Sequence, residues 1–327
     1  MQSNLDRDSG SSRASLYMAY NTAATRSFIR DKTALRTPFL GLSGPRLMDD
    51  EAHATLFLTL MFINSVIARS FNIGTALERV RRLGLTVHRR TNSTTSLDHF
   101  IISSLGNAWM PGLPPRCIAL CTYSALPLHD SDQAIPDPFG VGWQLSYSAV
   151  DLTSHEPELI VPQHLFTPFE GTKRSESALQ RTDMLLLFFT RSDGGVGVRV
   201  AADADYEAIP DTPTRVSATS LKVTLRLLNY SLVERQIQLR SPNAKVSARR
   251  LARLVAAKVR SCIEHAEREN ATISHWNDPR WKSGTTGECI KAGDVILIGL
   301  IFVSPGKVTP LLSLRSDYNL LGPSGWP

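Results

Sequence analysis

Arginine is the residue type whose spacing most suggests chemistry in this chain. One set comprises Arg79, Arg81, Arg82, Arg89 and Arg90, and a second comprises Arg249, Arg250, Arg253, Lys258 and Arg260. A guanidinium offers planar, bidentate donors that suit phosphate, and each such charge near an anionic leaflet adds about 1 kcal/mol of attraction. A handful per protomer, repeated in an array, recruits a protein to a membrane without an inserted helix. The same arginines suit an RNA backbone, although few aromatics interleave with them as a base-stacking groove requires.

Other reactive groups are dispersed. The eight histidines show no H-E-x-x-H spacing, and no G-x-S-x-G nucleophile motif occurs. Cys262, His265, His275 and Cys289 are formally four zinc-type ligands, but their spacing fits no standard finger, so buried cysteines with surface histidines are the expectation. Cys117 and Cys121, four apart in an expected strand, read as core packing. Gly194-Gly195-Val196-Gly197 lacks the strand-to-helix setting and the Lys-Ser/Thr tail of a phosphate loop. These readings imply no catalytic residues, no metal site and no cofactor. Tyr318 and Leu321 form a Y-x-x-L pattern of the kind used to recruit sorting machinery, yet Tyr123 to Leu126 matches it inside an expected strand, which shows how cheaply the match arises.

The elements that must position the arginines are read from periodicity. Thr75 to Gly84 is expected as a short helix, with Thr75 and Glu78 as a capping box and Gly84 as its stop. Leu85 to Arg90 and Phe100 to Ile102 are then expected as strands flanking a Thr/Ser-rich loop. Ser247 to Glu269 is the longest helical pattern, with Leu251, Leu254, Val255, Val259, Cys262, Ile263 and Ala266 on one arc and Arg249, Arg253 and Arg260 opposite. Its arginines crowd the first turns and its glutamates the last, an order that opposes the helix dipole.

Elsewhere the chain reads mainly as β structure. Trp143 to Val150 alternates apolar with polar, Leu159 to Pro162 is a short apolar run, and Met184 to Phe189 is apolar on both faces. Leu221 to Leu227 alternates strictly and pairs with Val233 to Arg240, and Asp294 to Val303 and Val308 to Leu314 flank a Pro305-Gly306 turn. Ala54 to Ala68 is nearly continuous apolar sequence, too short for the roughly 20 residues of a bilayer span, and is expected as a buried element.

With 327 residues, 42% of them hydrophobic, the length fits two domains better than one. A formal charge of +6 favours an acidic partner, either anionic lipid or nucleic acid. Four scattered cysteines and a polar start without an apolar signal core point to a reducing compartment, so the three Asn-x-Ser/Thr sequons are expected to stay unmodified.

The order of Tyr147, Val161-Pro162, Leu165-Phe166, Phe169 and Met184 to Phe189 resembles that in the matrix proteins of paramyxoviruses and their relatives in the Mononegavirales. A helix, a strand ending in paired arginines and a hairpin also stand at the corresponding place, and a basic helix follows the first hairpin of the second half. The resemblance covers roughly residues 40 to 320. It implies a mainly β fold with helices (α+β), two related β-sandwich-like domains in tandem: residues 1–193 (1–38 a polar N-terminal segment), a 194–214 linker, and 215–327. It also implies a viral matrix protein that dimerises, forms a lattice on anionic phospholipids of the inner leaflet, meets nucleocapsid and glycoprotein tails, and drives budding. The locations implied are the inner face of the virion envelope, the host plasma membrane, cytoplasm and nucleus. Gln2 after Met1 and the absence of a C-terminal prenylation cysteine make peripheral binding without a lipid anchor the expectation. The alternative is an RNA-binding nucleoprotein or capsid shell protein.

Overall fold

The structure, a computed structural model, describes residues 47–91, 93–106, 110, 112–124, 133–136, 144–167, 172, 185–216, 218–228, 230–239, 245–268, 279–284 and 289–320. It is a mixed α+β fold. Among the described residues four helices come first, α1 (Leu47–Phe62), α2 (Val66–Ser70), α3 (Ile73–Arg90) and α4 (Leu97–Ser104). They precede a four-stranded antiparallel sheet of β1 (Leu105–Gly106), β2 (Cys117–Ser124), β3 (Gln133–Pro136) and β4 (Gln144–Leu152), ordered β1-β2-β4-β3.

The second sheet contains β5 (Leu186–Phe188), β6 (Val198–Arg199), β7 (Ser220–Leu225), β8 (Val233–Gln238), β9 (Val295–Ser304) and β10 (Lys307–Leu314). Its order is β5-β9-β10-β7-β8, with β6 also pairing to β9, and β10 runs parallel to β7. Helix α5 (Ala248–Arg268) enters between β8 and β9 and packs on this sheet.

Strand β9 shows why its sequence is unbroken apolar residues. Leu297, Leu300 and Phe302 join a cluster with Leu251, Val255 and Val259 of α5, while Ile298 and Ile301 join a second cluster with Val80 of α3, Ile101 of α4 and Tyr147 of β4. Both faces of the strand are covered, so no position can be polar without a buried partner. The hairpins read from sequence are present in register, Leu221 opposite Ile237 and Val308 opposite Phe302.

Several elements differ from the sequence reading. Ala54 to Ala68, expected as one buried element, spans α1 and α2 and leaves Leu56, Phe57, Leu60 and Ile63 exposed. The helix expected to stop at Gly84 continues to Arg90, so Leu85 to Arg90 is its last turns and not a strand. Ala76, Val80, Gly84 and Val87 are its buried stripe. A Cβ at Gly84 would lie 2.4 Å from Cγ1 of Ile101, so this glycine lets α3 and α4 approach closely. Its N-cap is Asn72, whose Oδ1 accepts from the Thr75 amide at 2.8 Å, and Glu78 pairs with Arg82 in place of the expected capping box. Phe100 to Ile102 is helical, in α4, because Phe100, Ile101 and Ser104 form a helix-spaced buried set against α3. The short apolar run Leu159 to Pro162 follows a 3-10 turn at Pro157–Leu159 and pairs only through a single bridge between Ile160 and Ser313.

The 194–214 stretch is built into the second sheet. It contributes β6, then a 3-10 turn, Asp203–Ala208, whose buried Tyr206 donates its hydroxyl to the Val200 carbonyl at 3.1 Å.

Candidate anion-binding surface

Helix α5 carries the second arginine set, and packing against Leu221, Val223 and Leu225 fixes its roll about its own axis. That roll turns Arg249, Arg253 and Arg260 toward the 3-10 turn at 203–208. Arg249 donates Nε to the Ile209 carbonyl at 2.9 Å and Nη1 to the Glu207 carboxylate at 3.0 Å. Arg253 bonds the other oxygen of Glu207 and lies 5.9 Å from the Tyr206 ring centroid. Arg260 donates to the Val200 carbonyl at 3.0 Å and stands 3.7 Å from the Asp203 carboxylate. Three of the five cations therefore clamp a neighbouring turn. Glu207 also supplies the negative charge that the start of α5 favours, which explains arginines in the first turns of this helix. Arg250 is exposed, and Lys258 is half-buried.

The first set separates in the same way along α3. Arg79 is only 3% exposed and donates to the β4 carbonyls of Val150, at 2.9 Å, and Ala149, at 3.0 Å. It is a structural bolt between helix and sheet, out of reach of any macromolecular anion. Arg82 pairs with Glu78 one turn earlier, and Arg81 reaches toward the Thr55 hydroxyl of α1 at 3.5 Å. Arg89 and Arg90 are exposed at the helix end, where cations complement the dipole.

Beside Arg79 lies the one strongly displaced buried acid among the described residues, which sequence reading missed. Asp151, at the end of β4, is fully buried. Its Oδ1 accepts the Leu152 amide at 2.8 Å and the Ile67 amide, in the first turn of α2, at 3.1 Å. Burial raises its pKa to about 6, against the opposing pull of the Ser65 hydroxyl, these two amides and the Arg79 charge. The signal available was an acid directly following the apolar Ala149-Val150 pair of β4, where the register skips Val150 (Ala119 opposite Ala149, Ile118 opposite Asp151) and strict alternation breaks. Glu207 had no such signal, since only the packed helix brings its partners together.

The remaining candidates divide. Tyr318 is half-buried, packs against the α5-side cluster and has its phenol pKa raised by burial, which is the packing role; Leu321 lies outside the described residues. Tyr123 is exposed on β2, and Leu126 lies outside the described residues. Cys262 and Cys289 are buried and in no disulfide, and burial pushes the Cys262 thiol up to about 11. His275 is outside the described residues, among which no group of His, Cys, Asp and Glu has a metal-site arrangement. Two depressions on the α5 side, lined by residues such as Leu225, Tyr230 and Cys262 or Leu227, Trp281 and Leu312, each measure about 10 Å³, space for a single water.

In comparisons with family models, curated proteins and solved structures, nothing matches this chain.

Proposed function

We propose that this chain is a matrix-type assembly protein that binds the anionic face of a membrane peripherally. The observation that carries the reading is a net-basic chain in which the Arg89 and Arg250 side chains stay exposed while Arg79 and Arg249 are consumed by internal contacts. Exposed guanidinium groups on a rigid fold suit an extended anionic surface, and the order of sequence features along residues 40 to 320 supports the matrix assignment. On this reading the protein works as a homodimer within a lattice, between lipid on one side and nucleocapsid on the other, and has no catalytic role. Two related sandwich-like units belong to the same proposal. Two sheets and two apolar clusters support it, and the second sheet serves both clusters.

Flotation of the full chain with phosphatidylserine and with neutral vesicles, run beside an RNA mobility shift, tests this. The expected outcome is flotation with anionic vesicles only, reduced by salt and weakened by Arg89→Glu with Arg250→Glu. An RNA shift without flotation would replace the membrane with nucleic acid as the partner.

A further inference from the structure

Helix α1 is apolar on both sides. Ala54, Leu58 and Phe62 are buried against the rest of the helical layer, but Leu56, Phe57, Leu60 and Ile63 are 56%, 43%, 65% and 46% exposed. Their spacing of one, four and seven places them on one stripe of the helix, opposite the buried one. Four large side chains in contiguous exposure form an apolar patch on the order of a few hundred Å², the size at which a surface marks an interaction site.

The borders of the stripe are cationic or self-satisfied. Thr59 donates its hydroxyl to the Thr55 carbonyl at 2.8 Å within the helix. Arg81 approaches Thr55 along one flank, and exposed Arg69 donates to Asn64 at 2.8 Å just beyond Ile63. The acids of α1, Asp49, Asp50 and Glu51, stand in its first turns, and none follows from Ala52 to Ile63.

We propose that this face of α1 is a lipid-contact surface, lying in the plane of an anionic leaflet with Leu56, Phe57, Leu60 and Ile63 among the upper acyl chains and Arg69 and Arg81 at headgroup phosphates. The inference rests on the membrane reading above but assigns it a different surface and a second, apolar source of affinity. At 16 residues α1 is about 24 Å long, short of a hydrocarbon core of about 30 Å, which requires an in-plane and not a spanning orientation. A second copy of the chain fits less well. A stable dimer buries about 800 Å² per partner, more than the stripe offers.

The test uses the full chain, Leu56→Gln with Leu60→Gln, and Leu60→Trp as an environment probe. Both alterations are at exposed positions, with retained helicity checked by circular dichroism. Wild type is expected to float with phosphatidylserine vesicles and to keep part of that binding at raised salt, the double variant to lose at least about tenfold in partitioning, and the Leu60→Trp emission to shift to the blue on adding vesicles. If wild type floats with no vesicle, both this inference and the membrane reading fail. If wild type floats, the double variant floats equally and the tryptophan emission does not move, the α1 surface fails alone. A Leu60→Trp emission already blue without lipid, or a dimer that the double variant splits while vesicle binding is unchanged, gives the face to protein and overturns the proposal.

Discussion

Lowering the pH from about 7 to about 4.5 is expected to stabilise this fold through Asp151. The carboxyl is fully buried and its pKa is raised to about 6, above the roughly 3.9 of an unfolded aspartate. Between those two values the native state binds more protons than the unfolded chain, so stability falls as pH rises through the window and levels off above the folded pKa. At about 1.4 kcal/mol per pH unit, the part of the window below pH 6 corresponds to about 2 kcal/mol between pH 7 and pH 4.5. Urea unfolding followed by circular dichroism at the two pH values, for wild type and Asp151→Asn, isolates this contribution. The asparagine keeps an oxygen for the Ile67 and Leu152 amides but cannot titrate, so the wild-type gain on acidification should exceed the variant's by about that amount. Equal pH dependence in the two proteins would refute the reasoning. Faster exchange of the Ile67 amide at pH 7 than at pH 4.5, after correction for intrinsic rates, would locate the effect at the α2 start.

Gly84→Ala should destabilise by about 1 to 3 kcal/mol through overpacking against Ile101, more than the roughly 1 kcal/mol that alanine gains in helix propensity; Ile101→Val in the same chain should restore part of it in urea unfolding. Glu207→Ala should cost less than about 1 kcal/mol globally, since that carboxylate is largely exposed, while loosening the 203–208 turn enough for faster amide exchange at Ile209. Glu234, bonded by Lys222 at 2.8 Å and Lys307 at 2.7 Å, has its pKa lowered chiefly by these two bonds. Glu234→Gln should therefore reduce stability above about pH 5, by less than about 1 kcal/mol, and converge on wild type as pH falls through the folded pKa.

The second half of the fold was legible because each element there obeys one period. Leu221 to Leu225 alternates, α5 keeps its apolar arc, and the Pro305-Gly306 turn separates two long apolar runs. The helical layer was not. Leu85-Thr86-Val87-His88 satisfies a strand's alternation as well as a helix's stripe, and only the close approach of Gly84 to Ile101 decides between them. Phe100-Ile101-Ile102 has strand-forming side chains, and packing against α3 overrides that preference. Residues 194–214 resemble a linker by composition, yet the buried Tyr206 and the Glu207 pairs hold them to α5. The arginine sets were visible as charge; which arginines face inward depended on the roll of two helices.

Partitioning of the full chain onto vesicles of increasing phosphatidylserine fraction, at low and moderate salt, bears most directly on the proposed role. Binding should rise steeply with the anionic fraction, weaken with salt, and persist in the presence of competing RNA. Partitioning that is absent at every lipid composition, or abolished by RNA at equal charge, would contradict it.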